Sequence, residues 1–256
     1  MSLEKIWLIG CGNMAGAMLS RWLACGLDPA RVTVVRPSGQ PVADGVRVVT
    51  EIPDEPAPDL LLIGVKPQML ADVAPGLQAV SSGTILSILA GTRLTSLRET
   101  FPNAANIVRA MPNLPVALGQ GVVATVSEAA VDPGLTTLLD QLGLVENFPK
   151  ESLFDAVTAL AGSGPAFAYR FVDALAKGGT KLGLDPAQAS RLALATVEGA
   201  LALARQDGTP LGELADRVAS KGGSTREGLN VLDTGLDELV AECLAAAARR
   251  NAELGR

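Results

Sequence analysis

The residues best spaced for chemistry stand near the start of the chain, at Gly10-x-Gly12-x-x-Ala15. They join an apolar run at 6–9 to a stretch at 13–23 whose Met14, Ala17, Met18 and Trp22 recur at helical spacing. Small residues so placed between a strand and a helix bind the diphosphate of a dinucleotide. Gly10 permits the tight turn, Gly12 lets the backbone approach the diphosphate, and Ala15 lets helix and strand pack closely. The diphosphate then rests on unpaired N–H groups at the positive end of the helix dipole. Glycine pairs also make ordinary turns, so the strand-to-helix setting is what favours binding.

An NAD-type site has an acidic residue about 20 positions beyond the glycines, at the end of the second strand, to bind the ribose hydroxyls. That place reads Val34-Val35-Arg36-Pro37-Ser38, with no carboxylate. Arg36 with Ser38 can receive a 2′-phosphate; the plain alternative is that Arg36 begins a solvated loop, but its position in the motif favours NADPH, with NADH as the second choice. Two further turns, Gly64-Val65-Lys66-Pro67 and Ala90-Gly91-Thr92, follow apolar runs. The carboxyl ends of strands are where an open α/β sheet binds ligands. Lys66 there meets phosphate or substrate, or is an ordinary surface lysine.

Two stretches of the second half resist explanation as packing. Ala161-Gly162-Ser163-Gly164-Pro165 breaks a helical pattern with residues that weaken helices, and 218–225, Val-Ala-Ser-Lys-Gly-Gly-Ser-Thr, does the same. A Ser- and Gly-rich loop entering a helix offers free N–H groups and hydroxyls to a small carboxylate. It also fits an ordinary turn with Ser224 or Thr225 as N-cap. The two readings are compatible.

The chain has no histidine. That removes imidazole general bases, Ser-His-Asp triads and most catalytic zinc sites together, and no metal site is expected. Any chemistry must need little acid–base help, or must use Lys, Tyr169 or a carboxylate.

The elements that must position these residues follow from composition and patterning. In 256 residues there is room for one large domain or two moderate ones. Apolar content of 48% against 19% charged describes a folded, soluble chain, and a net charge of -6 argues against a nucleic-acid partner. No run reaches the ~20 apolar residues of a membrane span, and no leader pattern is visible. Cys11, Cys25 and Cys243 are too scattered for a disulfide framework, so a cytoplasmic location is expected. Cys11 suits the glycine turn by its small size.

Strand-like runs fall at 6–9, 32–36, 46–49, 60–65, 84–89, 106–110, 122–125 and 144–148. Helical stretches lie between several of them, at 67–80, 94–100 and, after Asp132-Pro133, at 134–142. Such alternation predicts a mostly parallel sheet with helices on both faces. After Phe148-Pro149 the strand pattern ends and helical periodicity runs to the C-terminus. The expected organisation is α/β, an N-terminal Rossmann-type dinucleotide-binding domain at 1–149 followed by an all-helical domain at 150–256. One helix is expected to open at Asp185-Pro186, an N-cap followed by proline. The Ala-rich helices have little bulky core, which favours a homodimer made through this half over a monomer whose helices pack on their own sheet.

With these segments in view, the chain resembles pyrroline-5-carboxylate reductase along nearly its whole length. The likeness rests on IGCGNMA at 9–15, GVKP at 64–67, ILAGT at 88–92 and VRAMPNLP at 108–115. It continues with DAVTALAGSGPAFAYRFVDAL at 155–175 and VASKGGSTREGLNVLD at 218–233. The last two are far more specific than the glycine turn. The resemblance implies reduction of 1-pyrroline-5-carboxylate to L-proline by NAD(P)H, the last step of proline biosynthesis. It implies a dimer formed by the helical domain and extendable to a decamer of dimers, with the substrate loop serving a cofactor held largely by the other chain. It assigns the diphosphate to Gly10, Gly12, Asn13, Met14 and Ala15, and the adenosine and nicotinamide path to Val65, Lys66, Pro67, Ala90 and Gly91. It gives the substrate carboxylate to Ser220, Gly222, Gly223, Ser224 and Thr225, with Thr225 also near the ring nitrogen and so catalytic. Lys221 stands where many relatives carry proline, Val35 and Arg36 where many have Ser or Asn, and no Asn follows the third strand.

The missing histidine fits this resemblance, because a protonated imine is already electrophilic and can take its proton from solvent. Two other readings remain. A β-hydroxyacid dehydrogenase typically pairs a lysine with an asparagine four residues later, but Lys177 is followed here by Lys181. A non-catalytic NADPH-sensing protein would keep the glycine turn but need neither GSGPAF nor SKGGST.

Overall fold

Runs such as Ile6-Trp7-Leu8-Ile9 and Leu60-Leu61-Leu62-Ile63 have no polar face, so both sides of each must be covered, as in the middle of a parallel sheet. The computed structural model, which describes residues 3–81 and 83–254, places them there. The strands are β1 (Ile6–Ile9), β2 (Val32–Val35), β3 (Arg47–Val49), β4 (Leu60–Ile63), β5 (Thr84–Ser87), β6 (Asn106–Pro112), β7 (Gly121–Ser127) and β8 (Gly143–Asn147). They form one sheet in the order β3-β2-β1-β4-β5-β6-β7-β8. β1 lies between β2 and β4, parallel to both, with Ile6 beside Val32 on one side and Leu60 on the other. The exception to parallel pairing is β6 with β7, where Val108 faces Ser127 and Pro112 faces Val123. Their antiparallel ladder carries both strands past the apolar runs at 106–110 and 122–125.

Alternate side chains of β1 enter different cores. Ile6 and Leu8 meet Met18, Leu19 and Trp22 of α1 (Asn13–Ala24), together with Leu135, Leu138 and Leu139 from 133–140. Trp7 and Ile9 meet Ala74 and Leu77 of α2 (Leu70–Leu77) and Leu97 of α3 (Leu94–Thr100). Helices therefore cover both faces, as the alternation predicts. The helical stretch at 67–80 is less regular than its pattern suggests. It enters through a 3₁₀ turn, Pro67–Met69, and leaves through another, Gln78–Val80. α4 (Pro133–Asp140) begins as its sequence requires: the Asp132 carboxylate accepts from the amides of Gly134 and Leu135. On the same face the fully buried Trp22 donates its indole N–H to the Leu138 carbonyl at 2.7 Å.

After the sheet come α5 (Phe154–Val157) and a π turn, Thr158–Gly162. The helix restarts as α6 (Gly164–Lys181), with Pro165 in its first turn. The rest is α7 (Pro186–Asp207), α8 (Leu211–Val218), α9 (Ser224–Leu232) and α10 (Leu236–Leu254). Asp185 caps α7, accepting from the amides of Ala187 and Gln188. The backbone divides into two compact units, one running to Gly162 and taken up again from Ala247, the other Ser163–Ala246. Within the second unit the buried described residues are Ala189, Ala193 and Ala219. Large apolar side chains such as Phe167, Phe171, Leu194, Leu201 and Leu239 are exposed on the single chain. An apolar surface of that extent marks an interaction site.

Trp22→Phe keeps the ring in the core but leaves the Leu138 carbonyl buried without a donor. It is expected to lower stability by about 1–3 kcal/mol, read from the urea midpoint by circular dichroism. An unchanged midpoint would assign the bond no net contribution.

Candidate functional site

The strand order places a topological switch at β1 and β4: one half of the sheet grows from β1 toward β2 and β3, the other from β4 onward. Ligands bind open α/β sheets outside the carboxyl ends of the strands at such a point. A cleft of about 580 Å³ lies there, lined among others by Gly10, Gly12, Arg36, Ser38, Val65 and Lys66.

The glycines of the turn have distinct jobs in the geometry. Gly10 has φ +80°, and a Cβ on it would stand 2.9 Å from Val65 Cγ1 and 3.1 Å from the Gly64 carbonyl oxygen. Gly12 is open, since a Cβ there would meet no protein atom within 4 Å. Ala15 is close-packed as expected, and its partner is Gly64, where an added Cβ would lie 3.0 Å from the Ala15 methyl group. α1 has Gly12 at its N-cap position with no side-chain cap. The first backbone bond of the turn runs from the Gly16 amide to the Gly12 carbonyl, 2.8 Å. The amides of Asn13, Met14 and Ala15 accordingly have no acceptor among the described residues, and they open the positive end of the helix. This is a cradle suited to a diphosphate.

Arg36 and Ser38 line the same cleft beyond β2, and Arg36 makes no ion pair among the described residues. Burial pushes the Cys11 thiol up, with Arg36 pulling it partly back, so this side chain stays a neutral, small filler of the turn. Lys66 is exposed on the cleft, and Pro67 opens the 3₁₀ turn behind it. Ala90 and Gly91 follow β5 but are not brought into this cleft. Gly91, with φ +78°, lines a separate hollow of about 200 Å³ beside Arg93, Arg109, Glu151 and Asp155. The sequence reading missed part of the lining. Thr50, Glu51 and Ile52 after β3, with Asp72, Val73 and Gly76 of α2, reach the cleft although no motif marks them.

In the second unit the loop between α8 and α9 is a tight turn. Gly222 has φ +72°, and the Gly223 amide donates to the Ser220 carbonyl at 3.0 Å. A Cβ on Gly223 would stand 2.4 Å from Ser220 Oγ, so a side chain there would push the Ser220 hydroxyl aside. The N-cap residue of α9 is Gly223 itself, with no side-chain cap, which corrects the reading of Ser224 or Thr225 as the cap. The first helical bond runs from the Glu227 amide to the Gly223 carbonyl. Among the described residues the amides of Ser224, Thr225 and Arg226 therefore lack acceptors. The hydroxyls of Ser220, Ser224 and Thr225 likewise make no hydrogen bond there, and all three residues are exposed. Unpaired donors at a helix N-terminus suit a carboxylate.

Comparison with known proteins follows the same division of the chain. A family model described as pyrroline-5-carboxylate reductase dimerisation matches residues 151–254, and one described as NADP oxidoreductase coenzyme F420-dependent matches 5–91. The pyrroline-5-carboxylate reductase of Synechocystis is 36% identical over 269 residues, covering 100% of both chains. That of Pseudomonas aeruginosa is 34% identical, covering 99% of this chain and 98% of its own. Among solved structures, a pyrroline-5-carboxylate reductase from Coxiella burnetii superposes with TM-score 0.91 at 29% identity over 100% of each chain. The Plasmodium falciparum pyrroline carboxylate reductase, solved with NADP bound, shares the fold at TM-score 0.84 and 23% identity over 100% of each chain.

Gly10→Ala adds a methyl group where φ is positive and Val65 and the Gly64 carbonyl stand in contact. A loss of about 1–3 kcal/mol in stability is expected, with NADPH affinity reduced at least tenfold. Thermal melts and fluorescence titration read the two effects, and wild-type affinity in this variant would contradict the role given to the turn.

Proposed function

The chain belongs to the pyrroline-5-carboxylate reductase family, and on that footing we propose that it reduces 1-pyrroline-5-carboxylate to L-proline with NAD(P)H. The observation that carries this reading is a pair of helix N-termini, those of α1 and α9, each headed by glycine and left without a side-chain cap. One suits a diphosphate and the other a carboxylate, the anionic groups of cofactor and substrate. The cofactor, when bound, supplies the hydride. The chain's own residues then have binding and orienting roles.

Gly10 and Gly12 let the backbone approach the diphosphate, which the amides of Asn13, Met14 and Ala15 hold. Arg36 and Ser38 receive a 2′-phosphate, the reason to prefer NADPH, while Val65, Lys66, Pro67, Ala90 and Gly91 line the path of the remaining cofactor. Ser220, Gly222, Gly223, Ser224 and Thr225 hold the substrate carboxylate. Thr225 also hydrogen-bonds the ring nitrogen, whose charge is lost as the imine is reduced. No residue has to abstract a proton, because the imine arrives protonated, and this accords with a chain without histidine. The protein's share of catalysis is orientation.

The exposed apolar faces of the second unit and the match to a dimerisation model support a homodimer formed by the helical half. A decamer of dimers is the larger assembly we propose, in the cytoplasm. The functional division is placed between 1–149 and 150–256. No helix among the described residues is long and apolar enough to cross a membrane.

Thr225→Ala is expected to lower turnover at least tenfold, about 1.4 kcal/mol in the barrier, in an assay following NADPH oxidation with 1-pyrroline-5-carboxylate. Unchanged kinetics would remove Thr225 from the mechanism. Arg36→Ala is expected to raise the KM for NADPH about tenfold, a loss of the size a charge-assisted hydrogen bond contributes, while the KM for NADH stays within about twofold. An equal rise for both cofactors would deny Arg36 its 2′-phosphate.

A further inference from the structure

Glu151 lies outside every motif assigned above, and Arg109, within the VRAMPNLP segment at 108–115, has no role assigned there. Arg109 stands on β6 beside Ser87, the last residue of β5, and its side chain is buried, with the residue only 6% exposed. Its guanidinium lies over the ring of Phe154, 4.7 Å from the centroid. Nη1 donates to Glu151 Oε1 at 2.8 Å. That same carboxylate oxygen accepts from the Leu94 amide, also at 2.8 Å.

Leu94 is the first residue of α3, whose N-cap residue Arg93 offers no side-chain cap. Glu151 therefore supplies from a distant part of the chain the acceptor that a local cap would otherwise provide. The consequence falls on the turn between β5 and α3. Upstream, the Leu89 amide donates to Ser87 Oγ at 3.3 Å. Downstream, the bond from Leu94 to Glu151 is the next backbone amide anchor. Among the described residues the amides of 90–93 between these points donate to nothing. Gly91 holds its left-handed conformation in the middle of that span. Where the turn sits is decided at its two ends, and one end is a carboxylate held in place by a buried arginine.

We propose that Glu151, oriented by Arg109, is a positioning residue that sets the Ala90-Gly91 turn and through it the nicotinamide end of the cofactor. This rests on the reading that places Ala90 and Gly91 on the cofactor path. A pair serving stability alone would act on the whole fold. A positioning pair acts on one end of the dinucleotide.

Two variants separate these roles. Glu151→Gln keeps an oxygen for the Leu94 amide. The double variant Glu151→Ala with Arg109→Met removes both charges, so no buried ion is left unpaired, but it unties the turn. The double variant is expected to melt within a few degrees of wild type and to bind NADPH at least tenfold more weakly. Its affinity for 2′,5′-ADP, which lacks the nicotinamide, should stay within twofold. Glu151→Gln is expected to bind NADPH within threefold of wild type. The inference is overturned if the double variant binds NADPH as wild type does, if it loses both ligands equally, or if Glu151→Gln falls as far as the double variant. Failure of the double variant to fold would overturn it too, by showing a structural role. Because binding is measured directly, a wild-type protein that binds NADPH but does not reduce 1-pyrroline-5-carboxylate would sink the functional reading alone.

Discussion

The close approach of three backbone segments at the switch point is the constraint on which the first half depends. The end of β1, the end of β4 and the first turn of α1 meet with no room for side chains: Gly10 lies against Val65 and the Gly64 carbonyl, and Gly64 lies against Ala15. Glycine at two places and alanine at the third follow from that contact. Because α1 is seated so closely, its unpaired amides follow directly on Gly12, which lines the cleft. Packing and binding are one requirement here, since a larger residue at Ala15 or Gly64 would push the anion site away from the strand ends.

Both cradles are made of main chain, and this accounts for a chain that reduces an imine without histidine. Backbone amides do not titrate, and the helix dipole behind them is fixed by the fold. On the proposed reading side chains add selectivity: Arg36 and Ser38 in the cleft at the switch point, Ser220, Ser224 and Thr225 at the N-terminus of α9. None of them must change protonation state for hydride to reach carbon. The demand falls on position, and position is what a tight glycine turn entering a helix provides.

Much of this was legible in the sequence, for physical reasons that can be stated residue by residue. Short apolar or β-branched runs that alternate with helical stretches mark the strands of a mostly parallel sheet, and all eight appear in order, with β3 and β8 at its edges partly exposed. The Gly10 turn and the 218–225 loop were legible because glycine and serine interrupt patterns that packing would otherwise continue. What was not legible lies where long-range contact decides. The antiparallel extension of β6 and β7 depends on each strand having the other beside it. Glu51 and Asp72 reach the cleft through the placement of a loop and a helix, and nothing local distinguishes them from solvated acids. Glu151 caps α3 across 57 positions of sequence, beyond the reach of any local capping rule.

The helical unit carries the last consequence. Its buried described residues are three alanines, so the free energy that holds a domain against its conformational entropy cannot come from its own interior. The exposed Phe, Leu and Val side chains of α6, α7 and α10 must be covered for the unit to be stable, and a second copy of the same surface does this by symmetry. The loop proposed to bind the substrate carboxylate lies within this unit, between α8 and α9, which expose apolar side chains of their own at Leu211, Val218 and Val231. On the proposed reading, association bears on chemistry as well as on stability, because the carboxylate loop belongs to the unit whose apolar faces a second copy covers.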